Sequence, residues 1–272
     1  MKSKQVPVVR KPLPQLVGSY LFYAFCGCVF LFLVAPTFVV VPISFSSSRF
    51  LKFPPPGFSL QWYANYFSSR EWIECTITSF EVACVTCVLA TVLGTILAVV
   101  LIKAKFPGRN LIYGLAVSPM IVPFIISAVA IYFFYARLHL VGTKFGVMIA
   151  HTLLAIPYVL VIVSAALKGF DETLERAALS LGANPLKTFV LVTLPVIRPA
   201  VISGALFSFI ISFDEAVIII FIAGVNAVTL PKRMWDGIRL EIDPTIAAVA
   251  TLLIGLSIAL MVIIALSRKK QS

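Results

Sequence analysis

Three carboxylates of this sequence lie in apolar surroundings, where they could act on a charged solute. Glu81 is near one end of a long apolar segment, and the adjacent Asp214 and Glu215 are in the middle of another. A carboxylate at mid-membrane costs about 2.5–3.5 kcal/mol on insertion scales, so it usually faces a polar path or a partner. Adjacent helical residues point about 100° apart, so the pair cannot face one surface. Attraction of a cation along a path and a structural contact to another helix both stay open.

The sequence lacks the motifs that ATP hydrolysis, nucleophilic catalysis and metal binding require. No G-x-x-x-x-G-K-[ST] run occurs, so we expect the chain not to bind or hydrolyse ATP itself. G-x-S-x-G and H-E-x-x-H are also absent from the sequence. His151 lies in an apolar segment, where a lone histidine more often hydrogen-bonds a neighbouring helix than relays protons. Cys84 and Cys87 have no second pair nearby. We therefore predict no catalytic residue, cofactor or metal site.

The composition indicates which elements must hold these residues. The chain is 60% hydrophobic and 12% charged, against about 25% charged in soluble domains. This favours a polytopic membrane protein, in which spanning segments of about 20 apolar residues must be helices. We predict an all-α fold with six transmembrane helices, at residues 20–42, 76–102, 111–136, 145–167, 200–223 and 245–266.

The basic residues predict the topology. All 22 lie outside the six segments, and placing both termini in the cytosol puts 14 on that side and 8 outside. This pattern accounts for the net charge of +11 without nucleic acid. We predict a cytosolic basic tail at residues 1–19, a permease domain at 20–267 and a cytosolic tail at 268–272.

The longest cytosolic segment, residues 168–198, carries helical signals of its own. Asp171 is suited to cap a first helix, and Gly182 is suited to end it. Asn184 and Pro185 then suit the cap and first position of a second helix. The segment therefore predicts two short helices joined at a glycine, with small residues on an exposed face.

Five residues of this segment carry a resemblance to a known family. Ala177, Ala178, Gly182, Leu194 and Pro195 match, in register, the signature loop of membrane permease subunits of ATP-binding cassette importers. That signature is Glu-Ala-Ala, three residues, Gly, nine residues, Ile-x-Leu-Pro. The resemblance implies that this coupling loop meets a separate ATPase.

Two positions depart from the signature. Arg176 stands where the family has glutamate, with Glu175 one residue earlier, and Val192 replaces isoleucine. The arginine reverses the charge at a position expected to meet the ATPase, and the resemblance implies that Glu175 and Arg176 belong to this contact together with the five matched residues. Further runs resemble the polyamine, opine and phosphonate branch, with spermidine/putrescine permeases among its members: SFSSSRF at 44–50, SFDE at 212–215, TLP at 229–231 and DP at 243–244.

The resemblance implies a subunit of a type I importer in a bacterial cytoplasmic (inner) membrane. Its implied partners are a second permease chain, two cytosolic ATPases that bind the ATP, and an extracytoplasmic solute-binding protein, with membrane lipid around it. Carboxylates without intramembrane Lys or Arg suit a cation such as putrescine or spermidine. A phosphonate, an opine or another small solute stays open, as does a more distant alternative, an ion-coupled secondary carrier.

Overall fold

The computed structural model describes the backbone of residues 13–240 and 243–269 and the side chains of residues 18–239 and 243–258. Of the predicted tails, residues 1–12 and 270–272 lie outside the described residues. The all-α prediction is confirmed: within the described ranges the only β feature is an isolated bridge, Ser46 to Phe58. The helices are α1 (Leu13–Ser44), α2 (Gln61–Ser68), α3 (Arg70–Lys103), α4 (Arg109–Val117), α5 (Phe124–Leu138), α6 (Lys144–Lys168), α7 (Glu172–Ser180), α8 (Pro185–Thr188), α9 (Leu194–Asp214), α10 (Val217–Ile222), α11 (Leu230–Leu240) and α12 (Thr245–Lys269).

Four helical stretches of the described chain are long and apolar enough to cross a membrane. They are Gly18–Ser44, Arg70–Lys103, Lys144–Lys168 and Pro185–Asp214. The bent pair Arg109–Met120 and Phe124–Leu138 adds a fifth if it is one span. The apolar helix Thr245–Ile258 is shorter over its described side chains. The count of six spans therefore stays a prediction.

Two helices differ in extent or continuity from the predicted spans. Helix α3 begins at Arg70, six residues before the predicted second span, and an exposed ion pair between Arg70 and Glu74 lies on its first turn. The third span is not one helix: a 3₁₀ turn, Ser118–Met120, ends its first half, and the two halves meet at 102°. Pro123 explains the break, because proline lacks an N–H and disfavours helical backbone before it.

The helices in the predicted fifth span, residues 200–223, differ from that segment at both ends. The helix begins before the apolar run, and Pro185–Asp214 is one helical stretch. Glu215 has extended backbone, with φ −72° and ψ 119°, so the helix stops there and the short α10 follows. The predicted end of the cytosolic loop at residue 198 therefore lies inside a helix.

The described residues from 69 to 240 form one compact unit, in which α6 packs against both α3 and α9. The helices approach closely because glycines face a buried valine: a Cβ added at Gly94 would lie 2.7 Å from the Cβ of Val159, and one at Gly204 3.3 Å from its Cα. The buried residues around Val159 are Ala90, Ala98, Leu101, Ala155, Leu160, Val163, Leu167 and Ile197. A second buried cluster joins α5, α6 and α10.

The described residues from 13 to 68 and from 243 to 269 form the other unit, in which α12 packs against α1 and α2. The Asn65 side chain donates to Thr245 Oγ1 at 2.8 Å, and Trp62 Nε1 donates to the Ser46 carbonyl at 2.7 Å. Helix α1 leaves most of its large apolar side chains uncovered within this chain.

Candidate functional site

The predicted turn between the loop helices is present, with its caps. Asp171 accepts a hydrogen bond from Thr173 N at 2.9 Å, and this bond lowers the pKa of its carboxyl. Gly182 has φ +84°, a conformation that favours glycine. Asn184 accepts from Lys187 N at 2.8 Å. These assignments to the first helix, the glycine and the second cap are confirmed.

The second loop helix, however, is not a short separate one. Helix α8 passes through a π-helical turn, Phe189–Thr193, directly into α9, so the segment from Pro185 is the base of a long helix. We call residues 171–195, which comprise α7, the turn at Gly182 and the helix from Pro185 to Pro195, the elbow. One arm of the elbow is therefore continuous with a membrane-crossing helix.

Glu175 points into the protein rather than away from it. Its carboxylate accepts hydrogen bonds from Lys103 Nζ, at the end of α3, and from Thr193 Oγ1, in the π-helical turn. Only 19% of its side chain is exposed. Burial opposes its ionisation, but the bonds from Lys103 and Thr193 outweigh burial and lower the pKa of Glu175. Lys103 Nζ also lies 5.4 Å from the ring centre of Phe170, within cation–π range.

Arg176 is exposed, and Glu172 of the same helix neutralises it. Arg176 Nη2 lies 3.1 Å from Glu172 Oε2, and both side chains are more than 70% exposed. Such a pair contributes little to stability, but it offsets the charge that distinguishes this sequence from the signature. The departure at Arg176 is therefore partly compensated within α7.

The elbow carries a set of exposed apolar and small side chains. Ala177 is exposed and Ala178 is partly buried. Pro195 is exposed, whereas Leu194 is partly buried against the cluster around Val159. The exposed large apolar residues of the elbow are Leu174, Leu179, Leu181, Leu186, Val190 and Leu191. Exposed apolar side chains gathered on one segment are typical of a surface that binds another protein.

The second site lies at the break after α9. Glu215 is buried, and its carboxylate accepts from Ile218 N at 2.9 and 3.1 Å and from Ile219 N at 3.4 Å. These amides are at the start of α10 and have no acceptor within that helix, and a negative charge is favourable at this position. The premise that Asp214 and Glu215 share one helix is wrong, because α9 ends between them.

His151 lies beside this break and is completely buried. Its Nδ1 is 2.9 Å from Ser212 Oγ of α9, so the predicted hydrogen bond to a neighbouring helix is confirmed. Its Nε2 lies 3.6 Å from Glu215 Oε2 and has no hydrogen-bond partner in the described part of the chain. The histidine thus hydrogen-bonds α9 on one side of the break and lies close to Glu215 on the other.

Asp214 lines a cavity of about 290 Å³. Its side chain is exposed, and it has no hydrogen-bond or ion-pair partner among the described residues. We call this the Asp214 cavity. Its lining is Phe124, Tyr158, Ile210, Ile211, Asp214, Glu215, Ala216 and Val217. It contains two carboxylates and no basic side chain.

Glu81 is not brought into this cavity. Lys144 Nζ, at the start of α6, lies 2.6 Å from Glu81 Oε2, and both groups are partly exposed. The three intramembrane carboxylates are thus divided among an ion pair, a buried helix cap and an open cavity.

Comparison with known proteins identifies the family. A family model described as the inner membrane component of binding-protein-dependent transport systems matches residues 90–271. The chain belongs to this family. It is the permease subunit of an ATP-binding cassette importer, as the loop signature implied.

Two relatives of this permease extend over nearly its whole length. It is 35% identical to the putrescine transport system permease protein PotI of Escherichia coli K12, over 92% of this chain and 88% of that protein. It is 33% identical to the spermidine/putrescine transport system permease protein PotC of Haemophilus influenzae, over 93% and 98%.

A solved structure matches the permease fold. The crystal structure of a bacterial ABC transporter involved in import of the acidic polysaccharide alginate superposes with a TM-score of 0.74, covering 97% of this chain and 99% of that chain at 14% identity. At that identity the match establishes the fold alone.

Sequence reasoning missed four side chains of the permease's two sites. Lys103 and Thr193 hold Glu175, and Phe124 and Tyr158 face Asp214. Neither a motif nor a charge pattern marks them, because each meets its site only through tertiary packing between helices that are separate in the sequence.

Proposed function

We propose that this chain is a permease subunit of a polyamine importer, with six spans and both termini in the cytosol. A second permease chain, identical or different, completes the pathway; two cytosolic ATPases bind the ATP; and a solute-binding protein delivers putrescine or spermidine. The observation that carries the substrate is the similarity to PotI and PotC, which are named for putrescine and for spermidine/putrescine. The matched alginate importer shares the fold, so the fold does not decide the charge of the solute.

The Asp214 cavity supports a cationic substrate. A polyamine carries ammonium groups, which an unpaired carboxylate attracts, and aromatic ring faces stabilise cations further. Asp214 offers the carboxylate, and Phe124 and Tyr158 offer the rings. In this proposal Asp214 contacts the substrate, Glu215 maintains the helix break, and Glu81 with Lys144 lies nearer the outer end of the path.

The exposed surface of the elbow supports docking of an ATPase. Arg176, Ala177, Ala178 and the turn at Gly182 form the contact, and Leu194 with Pro195 carries it into α9. When the ATPases close on ATP, they displace the elbow and switch the pathway between inward-open and outward-open states. This subunit does no covalent chemistry.

Transport in proteoliposomes tests the proposal. The permease is purified with its partner permease and ATPases, ATP is enclosed, and the binding protein is added outside with labelled putrescine, spermidine, a phosphonate or an opine. We expect the ATPases to co-elute and uptake of a polyamine to require both ATP and the binding protein. Uptake of only the phosphonate or the opine would refute the polyamine assignment. Polyamine uptake without ATPases would favour the ion-coupled carrier.

A further inference from the structure

We propose that Glu175 is a positioning residue of this importer that transmits movement of α7 to the membrane helices, rather than a residue that contacts the ATPase. Glu175, Lys103 and Thr193 form what we call the clasp. The inference rests on the proposed function, because it assumes that an ATPase pushes on the elbow.

The clasp is the polar link between α7 and the membrane helices. Among the described residues, Glu175 makes the only side-chain hydrogen bonds from α7 to α3 or to the π-helical turn. The other polar side chains of α7 bond within the loop, as Arg176 does to Glu172 and Ser180 to the Arg176 carbonyl. When α7 is displaced, the hydrogen bonds of Glu175 therefore either resist the movement or transmit it to α3 and the π-helical turn.

The surroundings of the clasp make it firm. Thr193 is fully buried, and Lys103 and Glu175 are mostly covered. Hydrogen bonds in which the donor or the acceptor is ionised are about twice as strong as neutral ones. Lys103 also contacts Phe170, the residue just before the elbow, so α3 holds both the elbow and the residue that leads into it. The exposed pair of Arg176 with Glu172 lies within α7, so it does not connect α7 to another helix.

The two helices joined by the clasp carry its effect away from the elbow. Helix α3 has 34 residues, about 50 Å at 1.5 Å per residue. Its other end bears Glu71, which forms an ion pair with Arg233 of α11, with Nε and Oε1 2.9 Å apart; further along α3, Glu81 forms an ion pair with Lys144 of α6. Thr193 sits in the π-helical turn, a type of local irregularity frequent at functional sites. One carboxylate thus joins α7 to a full-length helix and to the irregular turn that leads to Asp214.

The test separates assembly from coupling. Glu175→Gln and Lys103→Met are each purified in the complete complex with its ATPases, and ATP hydrolysis and polyamine uptake are measured in proteoliposomes. We expect the ATPases to co-elute as with wild type and hydrolysis to continue. Solute transported per ATP should fall about fivefold or more, a typical size for coupling between sites. The double replacement Glu175→Lys with Lys103→Glu restores a Lys–Glu pair and should recover most of the lost ratio.

Asp236→Asn is the matched control. It removes the acid of a partly buried Lys–Asp pair that lies within one helix, Lys232 with Asp236 in α11, and should leave the ratio unchanged. If Glu175→Gln releases the ATPases, Glu175 belongs to the docking surface and the clasp proposal is overturned. If it assembles and couples as wild type does, the proposal is also overturned. If one variant does not fold, Thr193→Val decides by the same ratio. Failure of the wild-type ATPases to co-elute would instead overturn the proposed function.

Discussion

Replacing Glu215 with alanine should destabilise α10, whereas replacing its neighbour Asp214 should not. The Glu215 carboxylate accepts from the amides of Ile218 and Ile219, and both residues are fully buried. A buried amide left without an acceptor costs about 1–3 kcal/mol, so the two together cost about 2–6 kcal/mol. For a unit of this size, about 2–4 °C are lost per kcal/mol, which gives a fall in Tm on the order of 10 °C.

The assay compares three variants of the purified complex. Tm is followed by thermal unfolding in detergent, and polyamine uptake is measured in proteoliposomes. Glu215→Gln keeps one oxygen acceptor and should lower Tm by less than Glu215→Ala. Asp214→Asn removes the charge of an exposed group without a bonding partner among the described residues. Its free energy of unfolding should therefore change by less than about 0.5 kcal/mol, and its Tm should stay close to that of the wild type. Its uptake of putrescine or spermidine should nevertheless fall.

The opposite pattern refutes the assignment of roles. If Glu215→Ala keeps the wild-type Tm, the carboxylate does not hold the start of α10. If Asp214→Asn assembles normally and transports polyamines at the wild-type rate and preference, Asp214 does not line the path.

Three further replacements test the elbow and the helix packing. Gly182→Val forces a branched residue into positive φ, at a cost of about 1–2 kcal/mol, and should reduce ATPase co-elution; Gly182→Asn, which tolerates that conformation, is the control. Asp171→Ala should speed hydrogen exchange of the α7 amides at pH 7. Because bonding lowers the pKa of Asp171, its contribution is present above the ordinary value of 3.8 and is lost as the pH falls below it, where variant and wild type should converge. Gly94→Ala pushes against Val159 and should cost about 1–3 kcal/mol by thermal unfolding, whereas Gly114→Ala meets open space and should not; an unchanged Tm for Gly94→Ala would show that α3 and α6 can separate.

Local signals of the sequence predicted the local structure well. The caps at Asp171 and Asn184 and the turn at Gly182 depend on bonds within a few residues, so spacing alone reveals them. The break after Asp214 has a local cause as well, but the acceptor is a carboxylate in an apolar run. A hydropathy average over about 20 residues changes little at one carboxylate, so it predicts a continuous span across the break.

The clasp could not be predicted, because its members are far apart in the sequence. Lys103 and Glu175 are separated by 72 positions, and only the packing of α3 against α6 and α9 brings them together. A motif comparison placed Glu175 one residue from a family glutamate and therefore on the docking surface. The direction in which the Glu175 side chain points depends on the rotation of α7 about its own axis, and a sequence motif does not specify that rotation.

Helix α9, Leu194–Asp214, directly follows the π-helical turn and sets a strict length requirement on this stretch. With no loop between them, the elbow and the carboxylate share one helical phase, and each inserted or deleted residue would turn Asp214 by about 100° relative to the elbow. The bend between α4 and α5 contains an irregular turn that can absorb a change in length. Insertions should therefore be tolerated around residues 121–123 and rejected between Pro195 and Asp214.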